Sequence, residues 1–445
     1  MKLNNKRTVL VGLAFLSICS FWQMYDNIIP LILTKTFHMN ETGSGVIMAA
    51  DNILALFLLP FFGSLSDRTE RKTGKRMPYI IFGTGCAVIL MNLLPVLDNS
   101  YYAAANSLKT VSFIIVLGLL LIAMGIYRSP AVALMPDVTP KPLRSKANAI
   151  INLMGALGGI IYLAIAAVLY PNSKTLGLAH VNYQPLFVIV SLIMFVSVGV
   201  LFLTIDEPRL AEENKAIESA HPEWDLAVDD GNGDEVLPSD VKKSLAFLLA
   251  SIALWYIGYN AVTTWFTTYV SVVMGQGLGG ASTCLLIATG GAILSYIPIG
   301  IIASKIGRKK TIMTGCILLA ACFALCGILT MTFSGINAVM FIVFALVGFA
   351  WAAINVNSLP MVVEMCRGSD IGKFTGYYYT ASMAAQVVTP VLAGTLMRII
   401  SYKTLFPYAA FFVALSFVSM MLVKHGDAKV TAKIGLEAYE DMEND

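Results

Sequence analysis

The sequence predicts an all-α membrane protein, with twelve transmembrane helices in two pseudo-symmetric six-helix bundles. Three observations predict this. Of the 445 residues, 57% are hydrophobic and only 13% charged, with a mean hydropathy of +0.75. A domain surrounded by water has nowhere to put that much apolar side chain, whereas contact with lipid accommodates it. Apolar runs of about the 20 residues needed to cross a bilayer recur along the chain. Polar landmarks of the first half also reappear, in the same order, in the second half.

The expected spans are 9–34, 44–65, 78–97, 111–135, 146–170, 185–205, 243–273, 281–303, 311–332, 336–362, 371–398 and 404–424. The first run, Val9 to Leu33, is too long for the core of a secretory leader. It carries Asp26 and Pro30 and lacks a small-residue cleavage site, so it reads as a retained helix. The second carries Asp51 and Pro60. The fourth carries Arg128 just before Pro130. The fifth holds Gly155, Gly158 and Gly159, which permit close helix packing. The seventh and tenth hold the aromatic and amide residues Trp255, Tyr256, Tyr259, Asn260, Trp351, Asn355 and Asn357.

Basic residues set the expected orientation. Lys2, Lys6, Arg7, Arg68, Arg71, Lys72, Lys75, Arg76, Lys141, Arg144 and Lys146 fall on one side. Lys242, Lys243, Lys305, Arg308, Lys309, Lys310, Arg367, Lys373 and Lys424 join them there. The other side has only Lys35, Lys109, Lys174, Arg398 and Lys403. Positively charged loops stay cytoplasmic, so both termini are expected inside a cell (inner) membrane. The net charge of +3 adds little to this.

The expected organisation is a first bundle over 1–205, an acidic cytoplasmic linker over 206–242, a second bundle over 243–424 and a cytoplasmic tail over 425–445. The linker carries Glu212, Glu213, Glu218, Glu223, Asp225, Asp229, Asp230, Asp234 and Glu235 with Gly231 and Gly233. It reads as a solvated connection. Asp230, Asn232 and Asp234 do not make a calcium loop, because the sixth position is Glu235 in place of glycine and the twelfth is Val241. The seven cysteines imply no disulfide framework: all but Cys366 lie inside apolar runs, and Cys322 and Cys326 have no histidine partner.

The repeat has three parts. Trp22, Tyr25 and Asp26 match Tyr256, Tyr259 and Asn260. Gly63, Asp67 and Arg68 followed by Gly74, Lys75 and Arg76 match Gly300, Ser304 and Lys305 followed by Gly307, Arg308 and Lys309. Asp137 and Lys146 match Glu364 and Lys373, which sets Arg128 against Asn355. Two related bundles with a site between them is the architecture of a rocking transporter.

The loop after the second span runs from Gly63 through Asp67 and Arg68 to Gly74, Lys75, Arg76, Pro78 and Tyr79. It resembles the signature loop of the major facilitator superfamily. Its longer spacing, the following Pro-Tyr, Pro60, Leu134-Met-Pro-Asp137 and Gly372-Lys-Phe-Thr-Gly376 resemble the branch of glycoside–cation symporters and sucrose-transporter-like proteins. The melibiose–cation symporters of that branch carry paired carboxylates where this chain has Ala55 and Leu59, so sodium coupling of that kind is not implied.

The resemblance implies alternating access and gives the polar residues roles. Asp67, Arg68, Arg76, Asp137, Arg144, Glu364 and Lys373 are expected to form a cytoplasmic gate, since charge-assisted hydrogen bonds there can latch helices in one state and release them in another. Asp26 and Asp51 are the candidate ion-coupling residues, because an ionised carboxylate inside a bilayer is costly and is functional by default. Trp22, Gln23, Tyr25, Asn27, Arg128, Trp255, Tyr256, Tyr259, Asn260, Asn355 and Asn357 are the candidate substrate-binding residues. Aromatic faces beside amides suit a sugar, whose C–H face stacks and whose hydroxyls need partners. Asn152, Tyr378 and Gln386 are weaker candidates.

The leading expectation is proton-coupled symport of a sugar or glycoside by a monomer. The alternative is a drug or metabolite exporter working as an antiporter, which the apolar fifth and eighth spans keep open. A sensor that does not transport is the third reading. No nucleotide loop, metal spacing or nucleophile constellation is present. No enzymatic activity, cofactor, metal or nucleic-acid partner is therefore expected.

Overall fold

The computed structural model describes residues 3–221, 238–333, 335–365 and 371–427. The linker acids from Glu223 to Glu235, together with Cys366, Arg367 and the tail beyond Asp427, lie outside them.

In the first half, α1 spans Asn5–Lys35, α2 Glu41–Asp67, α3 Met77–Ala103, α4 Ser107–Asp137, α5 Arg144–Leu169, the short α6 Asn172–Thr175, α7 Gln184–Thr204 and α8 Glu207–Ala220. In the second half, α9 spans Ser239–Val273, α10 Leu278–Ile306, α11 Arg308–Thr332, α12 Ala338–Val363, α13 Ile371–Ile399 and α14 Leu405–Met421. All but α6 and α8 are long and apolar enough to cross a membrane, which makes twelve among the described residues. Each expected span falls on one of these helices.

The helices start where side chains can satisfy their first free N–H groups. Asn4, Asn106 and Asn337 accept from Arg7 N, Leu108 N and Met340 N at 3.1, 2.9 and 3.1 Å. Several helices run past the bilayer. At 1.5 Å per residue the 31 residues of α1 reach about 46 Å, against a hydrocarbon layer of about 30 Å.

The described residues fall into two compact units: those of 3–39 with 50–221, and those of 40–49 with 238–427. In the first unit α1 packs on α5 and α7, and α3 packs on α4 and α7. The α1–α5 crossing is a backbone contact, since a Cβ on Gly158 would sit 2.0 Å from the Leu16 carbonyl oxygen. In the second unit α12 packs on α10 and α11, and α9 on α13 and α14. Large apolar side chains such as Phe82, Ile89, Leu192, Leu203, Leu294 and Phe411 are exposed on helix flanks, as lipid-facing surfaces require.

The start of the expected solvated linker is instead helical. Asp206 caps α8 by accepting from Arg209 N at 3.3 Å, and Pro208 sits in its first turn. Glu207 and Asn214 are buried. With Glu218 they follow a spacing of seven and four residues, which places them on one face of a helix. The density of charge in this segment hides that face in the sequence.

Candidate functional site

The charged loop between α2 and α3 closes around Arg76, whose side chain is buried. Its Nε donates to Asp137 Oδ2 at 2.8 Å. One terminal nitrogen donates to Ser66 Oγ at 2.5 Å and the other to Asp67. Lys75 Nζ lies 3.3 Å from the same Asp137 oxygen. Burial works against the guanidinium's charge, but the bonds to Asp137 and Asp67 outweigh it and hold Arg76 above the usual arginine range. Arg68 is exposed outside this cluster. Arg144 lies elsewhere in the unit, donating to Glu218 at 2.9 Å and to the carbonyls of Pro136 and Thr139 at 2.9 and 3.1 Å.

Glu207 holds the cluster from behind. Its carboxylate accepts from the backbone N–H groups of Lys75, Arg76 and Met77 at 2.8, 2.8 and 2.7 Å. These are the open donors at the start of α3. Burial pushes its pKa up, against the three N–H groups that oppose the shift. The rest of α8 reaches the neighbouring helix ends. Asn214 Nδ2 donates to the Asp137 carbonyl at 3.1 Å, and Glu218 also accepts from Lys141 N at 3.2 Å. Sequence reasoning missed Glu207 and Asn214 and placed Glu218 in a solvated run. The available signal was the Asp-Glu-Pro start of a helix immediately after an apolar span.

In the second unit Arg308 pairs with Glu364. Lys309 N donates to Asp427 Oδ1 at 3.1 Å, and Lys309 Nζ to the Met421 and Val423 carbonyls at 3.1 and 2.5 Å. Lys373 is exposed on α13.

Among the membrane-embedded candidates of the first unit, Arg128 sits 5.6 Å above the Trp22 ring, a cation–π contact. Trp22 meets Tyr25 edge to face at 5.5 Å. Tyr25 is fully buried and within electrostatic reach of both Asp26 and Asp51. Asp51 is likewise within reach of Arg128 and accepts from Asn52 Nδ2 at 3.0 Å. The structure therefore brings Trp22, Tyr25, Asp26, Asp51 and Arg128 together. Gln23 is half-buried, with Oε1 facing Gly159. Asn27 is buried and donates to the Gln23 carbonyl at 2.6 Å.

In the second unit Tyr259 stacks on Trp351 at 3.7 Å and 5°. Tyr256 meets the same indole edge to face at 5.4 Å. The Tyr256 hydroxyl lies 3.4 Å from that of Tyr378, which lies 3.1 Å from Ser358 Oγ. Asn260 and Asn355 are buried beside this group's positions on α9 and α12. Asn357 is buried too and donates to the Ala353 carbonyl at 2.9 Å. Trp255 is enclosed in the core.

Among the candidate binding side chains, Trp22 Nε1, the Tyr25 hydroxyl and Asn260 Nδ2 are buried polar atoms without a hydrogen bond among the described residues. Buried polar groups are normally satisfied, which marks these atoms as exceptions. Tyr162, Thr268 and Tyr408 also have unpaired hydroxyls among the described residues, and Tyr162 lies within electrostatic reach of Asp26. No group of three or more metal-ligating side chains occurs among the described residues.

A family model described as Major Facilitator Superfamily matches residues 11–296 and 279–438. A stretch of 139 residues is 29% identical to the sucrose transport protein SUC3 of Arabidopsis thaliana, covering 28% of this chain and 23% of that protein. The fold is shared with the xylose transporter XylE from E. coli in its inward-open conformation, at a TM-score of 0.67, with 14% identity and 94% of each chain covered. It is shared equally with a crystallised point mutant of the nucleoside transporter NupG, at a TM-score of 0.67, with 12% identity, 94% of this chain and 99% of that one. With the family model spanning nearly the whole chain and the twelve-helix fold in agreement, this multi-pass membrane protein belongs to the Major Facilitator Superfamily, whose members are transporters and not enzymes.

Proposed function

We propose that this transporter moves a sugar or glycoside by alternating access, coupled to protons as a symporter. The observation that carries the reading is that each unit, taken by itself, sets unpaired buried donors with aromatic faces: Trp22 Nε1 and Tyr25 OH with the Trp22 ring in the first, and Asn260 Nδ2 on the helix of Tyr259, which stacks on Trp351, in the second. In either unit a polyhydroxylated ring suits both features, since its hydroxyls take the donors and its C–H face takes the aromatics. The partial match to a sucrose transport protein supports the same solute class.

Asp26 and Asp51 are the proton carriers in this reading. Carboxylates within spans are costly when charged, and both lie within reach of the Tyr25 that offers a free hydroxyl. Arg128 stands within electrostatic reach of Asp51 as a countercharge. Arg76, Asp67 and Asp137 form the gate at the other end of the first bundle, and Arg308 and Glu364 its counterpart. The distribution of basic loops supports a cell-membrane protein with both termini in the cytoplasm, and the reading takes the transporter to act as a monomer.

The test is internal pH in proteoliposomes as mono- and disaccharides are added outside. Acidification linked to one sugar, abolished in Asp26→Asn or Asp51→Asn while that sugar still binds, is the expected result. Accumulation of labelled sugar that survives both substitutions overturns the proton assignment. Energised efflux of a hydrophobic dye with no response to any sugar replaces the reading with an exporter.

A further inference from the structure

A second buried carboxylate lies at the far end of α3. Asp98 is about 33 Å along the helix from Arg76, at 1.5 Å per residue. Its side chain is fully buried; the Thr36 hydroxyl is within interaction reach of it, but neither oxygen meets full hydrogen-bond geometry with a described residue. Facing it is His180, between α6 and α7. The imidazole Nε2 is 3.7 Å from Asp98 Oδ2, and the ring is only 12% exposed.

The imidazole is fixed from two sides. Tyr102 stacks on it at 4.4 Å and 13°, and Nε2 is 2.8 Å from Asn99 Oδ1. Asn99 donates through Nδ2 to Asn182 Oδ1 at 2.8 Å. Its Oδ1 is thus the acceptor toward the ring, and His180 carries a proton on Nε2. Asn182 Oδ1 also accepts from Gln184 N at 2.9 Å, and the Asn182 carbonyl accepts from the Tyr170 hydroxyl at 2.9 Å. Loop 176–183 is tied in this way to the ends of α3 and α5.

We propose that Asp98 and His180 are a proton-binding pair, which holds one shared proton at neutral pH and clasps loop 176–183 to α3 while it does. An ionised carboxylate without hydrogen bonds is among the most costly groups to bury. One proton removes that charge, either on the carboxyl or as an imidazolium beside the carboxylate, and the two groups titrate as a unit. Loss of the proton leaves a bare negative charge under the loop, so the clasp holds at lower pH and loosens as pH rises through the pair's titration.

The neighbouring groups leave this role to the pair. Lys109, at the start of α4, directs its ammonium to the Ser100 and Ala104 carbonyls at 2.8 and 2.9 Å. Burial pushes Tyr170, at the end of α5, up to about 12 and Tyr183, at the start of α7, higher still, so both stay neutral. Thr36, at the end of α1, offers only a hydroxyl. Burial alone pushes the His180 imidazole below its ordinary range, so a charged ring there depends on Asp98. None of these residues belongs to the gate or to the candidate binding positions. In the orientation proposed above, the pair faces the outside of the cell.

The chain has only four histidines, so imidazole nitrogen NMR of 15N-histidine-labelled protein in nanodiscs resolves the pair, with His180→Gln as the assignment control. The expected result is that Asp98→Asn moves the His180 midpoint down by about one pH unit or more, as loss of an opposing charge does, and leaves His38, His221 and His425 in place. An unchanged His180 curve in Asp98→Asn overturns the pair. Amide exchange of residues 176–183, corrected for intrinsic rates, tests the clasp without any transport assay. Protection should fall as pH rises through the midpoint in the native protein and stay flat in His180→Gln, whose amide can keep the donor to Asn99. A step that persists in His180→Gln overturns the clasp.

Discussion

The two bundles meet the same backbone problem at their charged ends and solve it differently. In each, a glycine with positive φ precedes the third membrane helix: Gly74 at 103° before α3 and Gly307 at 93° before α11. In each, a carboxylate from the segment after the sixth membrane helix returns to the N–H groups that follow that glycine. In the first bundle Glu207 is buried and takes three N–H groups. In the second Asp427 is exposed and takes one, at 3.1 Å. The first bundle therefore holds Arg76 in a set position, while the Arg308–Glu364 pair sits on a loop anchored mainly by Lys309 and two carbonyls. In the proposed gate, the second bundle is then the side built to adjust.

The largest expected contrast is removal of the two carboxylates. Glu207→Ala leaves three amide donors short of an acceptor under α8, each worth about 1–3 kcal/mol if it stays dry. A loss of several degrees in melting temperature in detergent is expected. Asp427→Ala gives up one exposed cap, and its melting curve should overlie the native one within the scatter of the measurement. Equal losses would end the distinction between a set and an adjustable loop.

A sharper version uses the glycines. A Cβ on Gly74 would sit 2.3 Å from Glu207 Oε2, and one on Gly307 would sit 2.9 Å from Asp427 Oδ1. Both Gly→Ala changes carry backbone strain of about 1–3 kcal/mol, because a non-glycine residue resists positive φ. Only Gly74→Ala adds a clash with a carboxylate that has nowhere to go. Double-mutant cycles should therefore show coupling of about 1 kcal/mol or more between Gly74→Ala and Glu207→Ala, and close to none between Gly307→Ala and Asp427→Ala. Coupling of similar size in both cycles would mean that Asp427 is held as firmly as Glu207.

The same comparison shows what the sequence reveals and what it hides. Twelve spans were legible because lipid selects apolar runs of fixed length, a signal that needs no tertiary information. Asp67, Arg76 and Asp137 stand out in the sequence because they align with Ser304, Lys309 and Glu364 in the internal repeat. Glu207 and Asp427 were not, since they lie at different distances beyond the ends of α7 and α14 and break the repeat. For Arg144, also expected among the gate residues, a charge list does not say which acid an arginine meets; in the fold it is Glu218 of α8. Among the embedded residues, composition located Trp22, Tyr25 and Asn260. That their polar ends are left unpaired is a fact of packing, which only the fold supplies.

The smallest expected effect distinguishes burial from simple charge at Glu207. Its pKa is raised in the folded protein, with burial the larger cause and the N–H groups of Arg76, Met77 and Lys75 opposing it. The native state then takes up a proton before the unfolded chain does as pH falls. Stability relative to Glu207→Gln should rise through the window between the raised value and the ordinary 4.5 of a glutamate, and level off below it. Melting temperatures of the two proteins in the same buffers give this difference directly, with the other carboxylates cancelling. A difference that is flat in that window and instead falls as pH drops below 4.5 would mean that the three amides outweigh burial. Glu207 would then act as an anchored anion whose charge the α3 terminus favours, and its contrast with Asp427 would be one of the number of bonds and not of desolvation.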